Sequence, residues 1–172
     1  PTAVDGENMN GVDIGNHLNT LSGTHGVGRI DHVENSLVGI MSREIYECPA
    51  ATLLHAAHTS LEAMTLAKDQ ARMKVRISQE YSDVIYNGLW FTAHRVDLNA
   101  YIQSTQRFVT GDVRVRLHKG TCVVVGRQAP KALYNYGLAT YDRADEFDHG
   151  SAEGFIKIYG LSVKTENQVQ SD

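Results

Sequence analysis

Three observations predict an α+β fold, a helical layer accompanied by β-hairpins. From Cys48 to Trp90 the stretch "CPAATLLHAAHTSLEAMTLAKDQARMKVRISQEYSDVIYNGLW" brings apolar residues back every three or four positions, the helical period. In "DVRVRLHKGTCVVVGRQ" the period is two: Val113, Val115 and Leu117 alternate with Arg114, Arg116 and His118, as in a strand with one polar face. The two patterns occur in blocks instead of strict alternation, which argues against repeated βαβ units. A chain of 172 residues can bury one sizeable core and would be cramped as two full domains.

The elements follow in order. "PTAVDGENMNG" reads as the end of a strand and a turn. From Val12, the apolar residues Ile14, Leu18 and Leu21 predict a helix, with Gly23 and Gly26 at its end, where a positive φ is often needed. Apolar stretches at Ile30–Val33 and Leu37–Met41, separated by the turn-like "ENS", predict a hairpin. Pro49 suits the first turn of the long helical tract, because that turn has no use for its missing N–H. Leu53, Leu54, Ala57, Leu61 and Met64 form its apolar stripe, and a break is expected near Lys68–Asp69. A further helix is expected at roughly 97–109, then a hairpin turning at Lys119–Gly120, with its second strand over 121–126. A short helix near Ser151–Tyr159, capped by Ser151, closes the series.

The totals exclude several classes. Net charge is -4 and the lysines and arginines are scattered, so no footprint for nucleic acid exists. No apolar run reaches the length of a membrane span, and no signal peptide is read at the start. Cys48 and Cys122 stand in no metal or redox spacing, so a reduced, cytoplasmic chain is expected. The first residue is not methionine, which suggests a fragment whose amino-terminal half lies elsewhere.

Several residue clusters invite a chemical reading. His55, His58 and Glu62 share roughly one helix face, but zinc hydrolases space their histidines by four with an adjacent glutamate, so a polar helix flank is expected and no metal. "GTHGVGR" follows a helix and precedes a strand, the reverse of a phosphate loop, and reads as a helix cap and turn. Cys48 has no partner that would activate a nucleophile, and "YNGLWF" is expected to pack in the core. "GRIDHVENSLVGIMSREIYECPAA" differs, because its acids, bases and tyrosine crowd a strand-to-helix junction. There Glu34 can accept from an ammonium or amide ligand, with Tyr46 beside it. Surface ion pairs explain such a cluster as readily as a binding site does.

The words of the sequence then resemble a family. "GTHGVGRIDHVENSLVGIMSREIYECPAATLL", "YNGLWF", "TQRFVTGDVRVRLHKG", "VVGRQAP", "LATYD" and "AEGFIKIYGL" resemble argininosuccinate synthase in order and spacing, over nearly the whole chain. The resemblance implies a ligase that joins citrulline and aspartate with ATP, used with magnesium, to give argininosuccinate, AMP and pyrophosphate. The ATP-holding loop of that family, Ser-Gly-Gly-x-Asp-x-Ser, does not occur in these residues. Residues 1–172 are therefore expected to be the carboxy-terminal synthetase domain, which closes over the substrates and builds a homotetramer. The ATP-pyrophosphatase-type domain is expected to lie outside the chain, leaving this part inactive alone and without a cofactor of its own. By resemblance, Glu34 and Tyr46 contact citrulline, and Arg29, Asp31 and Arg43 orient them. Ser36 and Met41 stand where the family usually has an arginine and a lysine, and "GLSVKTENQVQSD" is not expected to form a long terminal helix. The alternative is an assembly domain without ligand contacts.

Overall fold

The computed structural model describes residues 1–142 and 145–171, in two units, Pro1–Leu133 and Tyr134–Asp172. In the first unit, strands β1 (Ala3–Val4) and β2 (Glu7–Asn8) pair antiparallel around Asp5–Gly6. Helix α1 (Gly11–Thr24) starts at Asn10, whose side-chain oxygen accepts from the amides of Val12 and Asp13, both at 3.0 Å. Hairpin β3 (Arg29–Asn35) and β4 (Met41–Glu47) follows, then α2 (Pro49–Thr65), α3 (Lys68–Tyr86) and α4 (Ala93–Gln106). Strands β5 (Asp112–His118) and β6 (Thr121–Gln128) complete this unit. The second unit holds α5 (Tyr136–Ala139), α6 (His149–Tyr159) and α7 (Leu161–Gln170). Among the described residues, three separate two-stranded antiparallel sheets beside helices make the architecture α+β.

The core lies where α1 crosses α2. Ile14 and Leu18 pack on Ala50 and Leu53, and the inward residues Val115, Leu117 and Cys122 of β5–β6 cover the cluster. Burying each large aliphatic is worth about 1.5–3 kcal/mol. Cys48 gives α2 no side-chain cap. Asn19 of α1 supplies it instead, accepting from the Ala50 amide at 3.0 Å. That bond ties the helix start to its packing partner. Leu54, Ala57 and Leu61 of the α2 stripe line an open groove of ≈ 990 Å³ facing β5–β6.

Hairpin β5–β6 matches its sequence pattern closely. Lys119 and Gly120 both take positive φ, 44° and 84°, as a two-residue turn requires. Register slips once, between Arg114 and Val115, so that Val125 is left as an extra residue in β6. The Gly120 amide donates to His25 O at 2.6 Å and docks this turn on the end of α1.

A buried carboxylate joins three helices. Glu62 of α2 accepts from Lys74 Nζ of α3 at 2.8 Å and from Gln106 Nε2 of α4 at 2.8 Å. His58 Nε2 lies 3.2 Å from Glu62 Oε1 and 2.8 Å from Gln106 Oε1. Burial pushes the Glu62 carboxyl up, but Lys74 and Gln106 outweigh it and hold it below the usual range.

Several boundaries differ from the sequence reading. "LVGI" (37–40), expected to begin the second hairpin strand, is the turn, and Glu34 and Asn35, expected in the turn, end β3. Ser36 accepts from the Ile40 amide through its side chain, and β4 starts only at Met41. A loop carrying Leu37 and Val38 is apolar without being a strand, so hydrophobicity alone misplaced it. "YNGLWF" connects α3 to α4 at the surface, with Phe91 96% exposed. Trp90 there stacks under Arg95, 4.8 Å from its ring centre, and meets the Tyr81 ring edge-on. Helix α4 begins earlier, because Thr92 accepts from the Arg95 amide. Asp148, not Ser151, caps α6, and the tail continues as α7 after Gly160.

Candidate functional site

The β3–β4 hairpin is positioned by the loop at its base. Gly28 takes φ +85°, and a Cβ there would lie 2.6 Å from Pro49 N and Cα. Only glycine fits that approach. Its carbonyl accepts from the Cys48 amide at 2.9 Å, so both ends of the hairpin are pinned to the start of α2. Cys48 itself is half-buried, its sulfur 3.6 Å from the same carbonyl. The amides of His25, Gly26 and Val27 all donate back to Ser22 or Gly23 carbonyls. With its donors turned inward, this glycine-rich loop is not a phosphate cradle.

Register fixes which side chains meet. Arg29 pairs with Glu47, Ile30 with Tyr46, His32 with Glu44, Glu34 with Ser42. One face therefore carries Ile30, His32, Glu34, Ser42, Glu44 and Tyr46, and the other carries Arg29, Asp31, Val33, Arg43, Ile45 and Glu47. Glu34 and Tyr46 come together. The Tyr46 hydroxyl donates to Glu34 Oε1 at 2.8 Å, although their cross-strand partners stand four residues apart along the strand. Both side chains lean along the hairpin and meet over His32. The His32 Nε2 lies 3.2 Å from Glu34 Oε2, and its ring meets the Tyr46 ring edge-on at 5.6 Å.

The hydrogen bond to Glu34, followed by burial and the negative charges of Glu34 and Glu44, pushes the Tyr46 phenol up to about 12. It is thus a neutral donor across the physiological range. On the opposite face, Arg43 grips Asp31 with two bonds, 2.8 and 2.6 Å, and holds the carboxyl below the usual range. Arg29 pairs with Glu47 at 3.2 Å. Arg29, Asp31 and Arg43 therefore share no face with Glu34 and Tyr46.

His55 is exposed and His58 belongs to the Glu62 network. Among the described residues no group of three or more His, Cys, Asp and Glu side chains could hold a metal ion. Nor, among them, is any helix long and apolar enough to cross a membrane.

Residues 1–166 match the family model described as the arginosuccinate synthase C-terminal domain. The chain belongs to the argininosuccinate synthase family. Over 170 residues it is 56% identical to the argininosuccinate synthase of Dehalococcoides mccartyi, covering 99% of this chain and 42% of that protein. The enzymes of Chlorobium chlorochromatii and Chlorobaculum tepidum are each 54% identical over 169 residues, covering 98% of this chain and 42% of theirs. The chain thus spans about two fifths of the length of these curated argininosuccinate synthases.

Sequence reasoning named Glu34 and Tyr46 but missed His32. The signal was present: in "HVE" the histidine and glutamate are two apart, so any strand puts them on one face. Tyr86 was missed as well. It arrives from the end of α3, and its hydroxyl donates to Asn35 O at 3.2 Å, tying the hairpin to the helices.

Proposed function

We propose that this chain is the carboxy-terminal synthetase domain of a ligase that joins citrulline and aspartate with ATP to give argininosuccinate, AMP and pyrophosphate. Family membership supports the reaction, and the observation that carries the site is the 2.8 Å bond between Tyr46 and Glu34 on one face of an open hairpin. Glu34 offers negative charge and free lone pairs to an ammonium or to ureido N–H groups, and Tyr46 holds that carboxylate from the side. The two form one wall of the citrulline pocket. Arg29, Asp31 and Arg43 act from the other face by stiffening the hairpin that carries this wall. In the reaction, the ureido oxygen of citrulline attacks the α-phosphate of ATP and expels pyrophosphate, and the aspartate amine then attacks the ureido carbon of the citrullyl-adenylate and displaces AMP, losing a proton. The nucleotide is held by a region outside these residues, so the chain alone is inactive, and the working enzyme is a cytoplasmic homotetramer. The apolar residues exposed on α6 and α7, Phe155, Ile156, Ile158 and Val163 among them, support an assembly role for the second unit.

The test is steady-state kinetics in a full-length synthase carrying this chain, each substrate varied in turn. Glu34→Gln keeps the shape and removes a charge-assisted acceptor worth roughly 1.5–3 kcal/mol, so the citrulline KM should rise about tenfold to a hundredfold. Tyr46→Phe should cost about tenfold. The KM for ATP should stay at its wild-type value in both. A wild-type citrulline KM in Glu34→Gln would remove the pocket assignment.

A further inference from the structure

The carboxylate of Glu34 is held at both oxygens. Tyr46 Oη donates to Oε1 at 2.8 Å, and His32 Nε2 stands 3.2 Å from Oε2. A glutamate has three side-chain torsions, and one contact leaves its carboxylate free to swing about the bond made. Two contacts from different directions fix both the torsions and the plane. The lone pairs not engaged then point in a set direction before any ligand arrives. His32 is also wedged under the bridge. Its ring edge meets the Tyr46 ring at 5.6 Å, at an interplanar angle of 71°, so the histidine supports both partners of the hydrogen bond.

We propose that His32 is a positioning residue for the amino-acid substrate: by donating from Nε2 to Glu34 and bracing Tyr46, it preorganises the Glu34 carboxylate for a cationic or N–H-rich ligand. This inference rests on the pocket reading of Glu34 and Tyr46 above and deepens it. A carboxylate only accepts, so Nε2 carries the proton in this contact. The groups around the ring are Glu34 and Tyr46 on its own face, Glu44 directly across the hairpin, and the neighbouring Asp31. His32 itself does not need to reach substrate. Its effect is to remove a cost, because a side chain ordered only on binding lowers affinity by roughly threefold to tenfold.

The experiment uses a full-length synthase carrying this chain, with citrulline and ATP varied separately. His32→Leu keeps bulk against Tyr46 but donates nothing. Its citrulline KM should rise about fivefold to tenfold, with kcat and the KM for ATP within twofold of wild type. His32→Gln places an amide N–H near the position of Nε2 and should bring the citrulline KM back to within about twofold. His32→Asn, too short to reach, should not. A His32→Leu enzyme with wild-type citrulline KM, beside a Glu34→Gln enzyme whose KM is raised, overturns the role of His32 and leaves the pocket standing. If Glu34→Gln is itself unaffected, the pocket reading falls and this inference with it. Equal losses in His32→Leu and His32→Gln, or a parallel collapse of kcat and the KM for ATP, would show a packing role and refute positioning.

Discussion

Replacing Lys74 with methionine tests how the buried carboxylate of Glu62 is tolerated. Glu62 is 6% exposed and takes bonds from Lys74 and Gln106, both at 2.8 Å. Lys74→Met removes the neutralising charge while preserving most of the aliphatic stem. Breaking a buried ion pair by deleting one partner costs roughly 3–5 kcal/mol, since an uncompensated charge remains. Here Gln106 continues to donate and His58 stays within 3.2 Å, so we expect about 2–3 kcal/mol, below that range. Urea unfolding of the chain at neutral pH would read it as a shift of midpoint. The dependence on pH supplies a second check. In the wild type the Glu62 carboxyl is held below its usual range, so its contribution is complete above the unfolded value of 4.5 and lost as pH falls below it. Without Lys74, burial is left as the dominant influence and raises the carboxyl, so protonation favours the mutant fold. The stability gap between the two proteins should therefore narrow on acidification. Adding Glu62→Gln to Lys74→Met should recover more than half of the loss, because a neutral amide costs less to bury. A gap under about 0.5 kcal/mol at neutral pH, unchanged near pH 4, would refute this account of the network.

Two other expectations complete those given with the site. The Tyr46 phenol should titrate near pH 12 by carbon NMR of its ring. In Glu34→Gln it should fall back toward 10, and a value unchanged by that substitution would exclude the hydrogen bond as the cause. Because the folded value is raised, the stabilisation is complete below the unfolded value of 10.0 and disappears as pH climbs toward 12. Gly28→Ala should destabilise the chain by more than about 2 kcal/mol, combining a left-handed φ with a 2.6 Å clash on Pro49. Gly39→Ala, which shares the positive φ but meets nothing, should cost only about 1–2 kcal/mol, and equal losses would show that the close approach is unimportant.

The β5–β6 hairpin was legible because its information is local. Alternation names the inward residues, and a lysine–glycine pair that tolerates positive φ names the turn. The start of α2 at Pro49 was readable for the same reason, and the break expected near Lys68–Asp69 falls two residues earlier, at Leu66–Ala67. Family membership was readable too, since motif order and spacing survive in the linear chain. The β3–β4 pairing was not. Both of its faces mix charged and apolar residues, so no slip in register would bury a charge, and the pattern leaves the pairing open. The Gly28–Cys48 bond at the base and the Ser36–Ile40 turn at the tip decide it. Register in turn brings Tyr46 within reach of Glu34 and His32, and sends Arg43 to the far side with Arg29 and Asp31. Glu62 poses the same problem across greater separations. Its partners are 12 and 44 residues away, so only the crossing of α2 with α3 and α4 reveals that the buried charge is paired. A side chain's chemical type belongs to the sequence, whereas its charge partner and exposure depend on which distant segments the packed core holds against it.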